Sequence, residues 1–374
     1  MAKRANSEGT VYKRADGKWV GALTLPNGGR KVFYGKTRTE VHTKLVDAQG
    51  KLAAGVLPTG PTQTLAQFMN AWLIDSVKPS VRPKTFDDYQ RITAKHILPE
   101  LGKIALSKLS PAHLQRFYRQ KLDSGLSPRT VQYQHAILHR ALHQAERWSH
   151  IGRNPAALVD PPRAEKANIR ALDAGETRRF LAVAAEHRLD ALWTLAVYTG
   201  MRQGEILGLL WSSVDLTTKR LTVDRTIQRV GGETIVGEPK SAQSRRTIPL
   251  PAIVVEQMLR WRTQQKAELL RLGIVWPGDG SVFTSEVGKP LIAHSVLKQY
   301  KRLLAAAMLP STTFHALRHG AASALVAANV PAKVIQELLG HSSITVTLDL
   351  YAHLMDGQRE QAIDALANVF AARV

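Results

Sequence analysis

Two proline-rich breaks constrain this chain more than any other feature. Gly55 to Pro61 (GVLPTGP) places two prolines and two glycines in seven residues, and a second break runs from Asn154-Pro155 to Pro161-Pro162-Arg163. Neither helix nor strand continues through such stretches, because proline lacks a backbone donor and pushes the residue before it out of helical geometry. The chain of 374 residues is thereby divided into three, at 1–56, 63–160 and 168–374, which fits the two or three domains such a length allows.

The hydrophobic period changes at each break. The first segment alternates apolar and polar residues over Gly9 to Tyr12, Lys18 to Leu25 and Arg30 to Tyr34, with Asn27, Gly28 and Gly29 as turn residues between the last two runs. Thr37 and Glu40 then have capping-box spacing, and Val41, Leu45 and Leu52 give the helix that follows an apolar stripe. The expectation is a three-stranded sheet backed by one helix. In the second segment Leu65, Phe68, Met69, Trp72 and Leu73 recur with helical period behind Thr64 as a cap, and further helices are predicted to start near Lys84, at Pro111 and at Ser127-Pro128. The third segment reads as helices over 173–186 and 189–199, strands over 220–228, 233–236 and 245–250, and helix again from Pro251 onward.

Charge narrows the partners. The sequence holds 51 Lys and Arg against 30 Asp and Glu, a formal net charge of +21. The excess is spread: 11 basic against 4 acidic residues in 1–60, 16 against 8 in 61–166, and 24 against 18 in 167–374. A basic tail would have concentrated it, so each part is expected to present its own polyanion-binding surface, nucleic acid being the leading candidate. A basic ribosomal or translation protein needs only this charge and stays open as an alternative. In the second segment Lys84, Arg91, Lys95, Arg116, Arg119, Lys121, Arg129 and Arg140 lie on predicted outward faces without evident matching acids, which favours a DNA surface over a merely solvated one. Cysteine is absent, excluding disulfides, thiolate nucleophiles and Cys-ligated zinc. No run of ~18 apolar residues and no charged-then-apolar leader is present, so the expected location is cytoplasmic, with no membrane association.

Phosphoryl transfer in DNA requires a nucleophile, positive charge on the non-bridging oxygens and a proton donor for the leaving 5′ oxygen. The third segment offers Tyr198-Thr199-Gly200-Met201-Arg202-Gln203-Gly204-Glu205, then Pro239-Lys240-Ser241, His315-Ala316-Leu317-Arg318-His319, Leu339-Gly340-His341-Ser342-Ser343, and Tyr351. Arg202 follows a glycine able to end one helix, and Glu205 lies one turn further on the same face, where a carboxylate can steady a guanidinium that forks onto two phosphate oxygens. His315 and Arg318 share a helical face. His315 and His319 also have the i, i+4 spacing of metal ligands, but no Glu follows as in H-E-x-x-H and no third ligand is indicated. His341 follows another helix-ending glycine, and reads either as a site residue or as a capping or core histidine.

This order of motifs resembles the tyrosine recombinase, or phage integrase, family, whose signature is Arg, Lys, His-x-x-Arg, His or Trp, and Tyr. The likeness covers about 170 to 355. The helical segment before it resembles the family's core-type DNA-binding domain, and the first sheet resembles the arm-type binding domain of phage and conjugative-element integrases. The resemblance implies a multidomain fold, mainly α with small β-sheets: an arm-binding sheet plus helix over 1–56, a helical core-binding domain over 63–160, and a mixed α+β catalytic domain with a C-terminal tail over 168–374. It makes Arg202 and Arg318 phosphate clamps, with Glu205 in support. It makes His315 a hydrogen-bonding acid or base, Lys240 the proton donor to the departing 5′ hydroxyl, His341 a hydrogen-bond partner of the phosphate and Tyr351 the nucleophile. Arg245 and Arg246 compete with Lys240 for a DNA-contact role. Gly320 departs from the small polar residue, often Thr, of many relatives, which bears on helix packing.

The reaction implied is attack by Tyr351 to leave a 3′-phosphotyrosyl link, with no cofactor and no metal. The partners implied are double-stranded DNA at core and arm sites, a homo-tetramer exchanging strands through a Holliday junction, a DNA-bending host factor and an excision or directionality factor. Ile363, Leu366 and Phe370 have the spacing of a helix able to pack on a neighbouring protomer. The rival readings are a chromosome-dimer resolvase or transposon recombinase, a type IB topoisomerase, and a non-catalytic DNA-binding regulator. The extra N-terminal sheet argues against a resolvase, and retention of every signature residue against a regulator.

Overall fold

Alternation in the first fifty residues resolves, in a computed structural model of the protein, into strands β1 (Thr10–Lys13), β2 (Trp19–Thr24) and β3 (Arg30–Gly35), followed by helix α1 (Arg38–Ala53). The structure describes residues 9–25, 29–53, 63–165, 170–237, 244–345 and 347–348; Asn27 and Gly28 lie outside them. The sheet is antiparallel in the order β1-β2-β3, with Tyr12 opposite Val20 and Val20 opposite Tyr34. Period-2 alternation sends Leu23 and Phe33 toward α1, where they meet Leu45 and Ala48. A methyl group on Gly21 or Gly35 would stand 2.7 Å from Val41, so these glycines let the helix lie close on the sheet. On the other face Tyr12, Val32, Tyr34 and Arg30 are exposed. The cap of α1 departs slightly from expectation. Glu40 donates its backbone N–H to Thr37 Oγ1, but its carboxylate accepts from Lys36 N–H at 2.9 Å, one residue before a regular capping box.

The chain divides into two compact units, Met1–Lys166 and Ala167–Val374. The first unit also holds a helical core, built by α2 (Leu65–Trp72), α3 (Pro83–Ile92), α4 (Leu98–Leu101), α5 (Pro111–Asp123) and α6 (Pro128–Arg147). Thr64 and Gln67 form a reciprocal capping box at α2, and Ser127 Oγ accepts from Thr130 N–H at α6. The residues of the apolar period, Leu65, Phe68, Met69 and Trp72, are all buried. Helices α2 and α3 continue as π-helical turns, Leu73–Val77 and Thr93–Ile97.

The basic face of this helical region needs correction. Lys84 pairs with Asp87 at 3.1 Å and Asp88 at 3.2 Å, Arg91 with Asp88 at 3.0 Å, and Lys121 with Glu100 at 3.1 Å. Matching acids therefore exist, supplied at i+3, i+4 and i−3 along α3 and by a neighbouring helix. Among the described residues Lys95, Arg116, Arg119 and Arg129 have no carboxylate at ion-pair distance, so the unneutralised part of this face is smaller than the sequence suggested.

The second unit begins with α7 (Ala174–Ala184), capped by a reciprocal Asp173–Glu176 box, then α8 (Asp190–Thr199) and α9 (Gln203–Leu207). Strands β4 (Val214–Asp215), β5 (Arg220–Val223) and β8 (Arg246–Pro249) form one antiparallel sheet, while β6 (Thr226–Val230) and β7 (Glu233–Gly237) form a separate hairpin. The expected continuous run over 220–228 is thus two strands in two sheets. It breaks at Asp224-Arg225, where Asp224 accepts a hydrogen bond from Ser213 Oγ and the chain leaves the first sheet. Helices α10 (Ala252–Arg271), α11 (Ala293–Ala306), α12 (His315–Ala327) and α13 (Ala332–Leu339) follow. The unbroken helical reading after Pro251 fails over 272–292, where Gly273, Pro277, Gly278, Gly288 and Pro290 favour irregular chain. The core centres on Phe180, Trp193, Trp261, Phe283 and Tyr300, all fully buried. No helix among the described residues is long and apolar enough to cross a membrane.

Candidate active site

The site grows from two glycines with positive φ. Gly200 (φ 59°) ends α8 and turns the chain so that Arg202, still extended, stands before α9. Gly340 (φ 67°) ends α13 and does the same for His341. The two turns adjoin: a methyl group on Gly200 would lie 2.6 Å from Leu339 Cδ2. Either glycine would be strained as another residue, and a side chain at Gly200 would also force Leu339 to move.

Glu205 is the centre of the cationic cluster. Only 3 % of it is exposed. Its Oε1 accepts from the Arg202 guanidinium at 2.7 Å, and its Oε2 accepts from both the Arg202 backbone N–H and Arg246, each at 3.0 Å. Burial works against its charge, but Arg246 and then Arg202 outweigh it and hold its pKa below the usual glutamate value. Arg202 also donates to the Gly340 carbonyl at 3.1 Å, which ties the first motif to the turn that carries His341.

Arg318 approaches from α12. It is 3 % exposed and donates through one terminal nitrogen to the Gly200 carbonyl at 2.9 Å. Its other terminal nitrogen is buried and has no partner among the described residues. Such an orphaned donor costs about 1–3 kcal/mol or more, the kind of penalty that an arriving anion relieves. Burial, then repulsion from Arg202, lowers its pKa to about 9, which leaves it cationic at neutral pH.

The histidines line the same cationic group. His341 is buried, and burial followed by Arg318 and Arg202 lowers its pKa to about 4. Its Nδ1 lies 2.9 Å from the hydroxyl of the fully buried Thr347. With Thr347 as donor, the ring carries its proton on Nε2, the nitrogen left to hydrogen-bond a phosphate. His315, first residue of α12, is likewise lowered to about 4, by burial and then by His319, Arg318 and Arg202. His315 is exposed at the start of α12, and its lowered pKa leaves the ring neutral at pH 7. His315 and His319 meet edge to face with centroids 4.9 Å apart, and among the described residues no three His, Cys, Asp or Glu side chains converge as a metal site.

Arg202, Glu205, His315, Arg318 and His341 are thus brought together, and Lys240 and Tyr351 lie outside the described residues, as do Ile363, Leu366 and Phe370. The hairpin that precedes Lys240 is seated on α9: a methyl group on Gly204 would lie 2.7 Å from the Ile227 carbonyl, and one on Gly208 would lie 3.2 Å from Thr226 Cα. At Gly320 a methyl group would stand 3.3 Å from the Leu172 carbonyl, a tight but local packing matter. Two participants went unread in the sequence. Arg246 was expected to compete for DNA, yet its side chain is 6 % exposed and locked to Glu205. The signal was present, since Arg246 has the same strand parity as the buried Ile248. Thr347 gave no comparable signal.

A half-buried Arg202, a buried Arg318 with an unpaired donor and two neutral imidazoles together have the chemistry to hold an anion. A family model described as the phage integrase family matches residues 170–358, and one for the phage integrase N-terminal SAM-like domain matches 64–122. The chain is 33 % identical to a protein called tyrosine recombinase XerC-like from Caldanaerobacter subterraneus, over 91 % of this chain and 92 % of that one. Its fold is similar to that of the Tn1549 transposon integrase in complex with transposon right end DNA (TM-score 0.68, 22 % identity, 82 % of this chain and 100 % of that one). It is also similar to a lambda integrase tetramer bound to a Holliday junction (TM-score 0.59, 21 % identity, 93 % and 96 %). The chain belongs to the phage integrase family, and it is a site-specific tyrosine recombinase.

Proposed function

We propose that this recombinase integrates and excises a phage or other mobile element, with Tyr351 as nucleophile on double-stranded DNA. The observation that carries the reading is the convergence of Arg202 and Arg318, with the unpaired buried nitrogen of Arg318, beside neutral His315 and His341. Tyr351 Oη gives its proton to neutral His315 and attacks the scissile phosphorus, the P–O5′ bond breaks, and Lys240 gives the leaving oxygen its proton. Arg202 and Arg318 hold the non-bridging oxygens as charge builds. A 3′-phosphotyrosyl link and a free 5′ hydroxyl result. Attack by the 5′ hydroxyl of a partner duplex reverses the step, so bond energy is kept without nucleotide hydrolysis.

The working division is 1–56 for arm sites, 63–160 for core sites and 168–374 for catalysis. The exposed sheet face bearing Tyr12, Val32, Tyr34 and Arg30 supports the first assignment, as a face of this size fits a major groove. Four protomers assembling on two sites, a DNA-bending host factor and an excision factor complete the reading, together with a tail after Tyr351 that packs on a neighbour. Tyr351→Phe tests it. The variant is expected to bind a nicked target duplex as tightly as the parent and to form no covalent adduct; an adduct that persists removes Tyr351 from this role.

A further inference from the structure

Arg246 has no part in the chemistry described so far, yet it is the most completely engaged guanidinium of the catalytic unit's cationic cluster. Its Nε donates to the Leu338 carbonyl at 2.7 Å, one terminal nitrogen to the Ser244 carbonyl at 3.1 Å and to Glu205 at 3.4 Å, and the other to Glu205 at 3.0 Å. All three nitrogens are spent on protein. With four of its five N–H groups committed to protein and 6 % of the side chain exposed, it is built to hold the fold rather than to take a phosphate.

Its bonds close a circuit. From β8, Arg246 reaches Glu205 on α9; Glu205 holds Arg202; Arg202 reaches the Gly340 carbonyl; and Leu338, two residues back on α13, returns to Arg246. The end of α13 is where backbone carbonyls gather negative charge, so two guanidinium groups bind there favourably. Each oxygen of Glu205 is shared: Oε1 accepts from the Arg202 guanidinium at 2.7 Å and one Arg246 nitrogen at 3.4 Å, and Oε2 accepts from the other Arg246 nitrogen and the Arg202 backbone N–H, both at 3.0 Å. Without Arg246 the carboxylate keeps only Arg202 as a cationic partner and loses its tie to β8, so it can turn and take the Arg202 guanidinium in a two-pronged grip away from Gly340.

We infer that Arg246 is a positioning residue, which through Glu205 and the end of α13 fixes where the Arg202 guanidinium meets the scissile phosphate. This rests on the reading that Arg202 clamps that phosphate. Lysine is a poor substitute, since one ammonium cannot span strand, carboxylate and helix end at once.

The test compares two scissile groups. A duplex is first recovered by covalent capture, with the wild-type chain, from nicked duplexes of random core sequence; the same duplex is then made with a methylphosphonate at the scissile position, which removes the negative charge that Arg202 faces. Single-turnover adduct formation is measured for wild type, Arg246→Gln, Arg246→Lys and Arg202→Lys. Arg246→Gln is expected to be about 100-fold slower on the phosphodiester, as for loss of one preorganised donor. On the methylphosphonate its deficit is expected to shrink to about fivefold or less, as is that of Arg202→Lys. If Arg246→Gln melts below the assay temperature, Arg246→Lys carries the same comparison. Deficits of equal size on both duplexes, or none on either, overturn the inference and leave Arg246 a purely structural residue. Failure of the wild-type chain to capture any duplex instead overturns the recombinase reading beneath it.

Discussion

Asp88 and Glu205 each hold two basic side chains, one on an exposed helix edge and the other in the interior. Asp88 takes Lys84 and Arg91 from its own helix, with side-chain exposures of 41 % and 58 % for the two cations. Glu205 takes Arg202 from just before its helix and Arg246 from a strand 41 residues away, and neither it nor Arg246 is exposed beyond 6 %. The first arrangement forms wherever α3 is helical, is screened by salt, and fixes little beyond local charge. The second exists only when β8, α9 and α13 are all in place, so it registers the tertiary fold. Similar chemistry therefore does different work: one site adjusts a surface, the other ties a strand and two helices of the fold together.

The sharpest way to break this contrast is Glu205→Gln. Removing the carboxylate leaves two guanidinium groups close together and one of them buried, so a loss of about 3–5 kcal/mol in urea unfolding is expected. A loss below about 1 kcal/mol would place Glu205 in the surface class. Acid titration gives the next largest effect. His341 has a folded pKa of about 4 against an unfolded value near 6.5, so the unfolded chain takes up the proton first as pH falls. Stability is expected to be unaffected by this group above pH 6.5 and to decline by up to about 3 kcal/mol toward pH 4. His341→Gln should remove that part of the slope; a slope unaltered by the substitution would assign the titration elsewhere. Asp88→Asn should have the smallest effect, less than about 1 kcal/mol and vanishing in 1 M salt. A larger loss, insensitive to salt, would mean that the α3 cluster is more than a solvated edge.

What the sequence revealed follows the same division between local and distant. Caps at Thr64, Ser127 and Asp173 are legible because their partners stand three residues away, as is the Arg202–Glu205 pair. The turns at Gly200 and Gly340 are legible because few residues tolerate positive φ. Asp87 and Asp88 were equally local, and only counting basic residues without their i+3 and i+4 neighbours hid them. The contact between Arg246 and Glu205 is another matter: strand parity turns Arg246 inward, but nothing in the chain says what it meets. The π-helical turns at Leu73–Val77 and Thr93–Ile97 have no compositional mark either, because an extra residue per turn is imposed by packing rather than propensity.

The missing side chain at Gly200 has a practical corollary for anyone recombining modules among relatives of this enzyme. The space a β-carbon would need at that position is already occupied by Leu339, so positions 200 and 339 constitute a single steric unit despite their separation along the chain. A single crossover between them takes the two from different parents, so it suits the fold only when both parents carry glycine at position 200. Chimeras that bring any larger residue to position 200 are expected to melt below both parents, because Leu339 must then shift and the backbone there has positive φ.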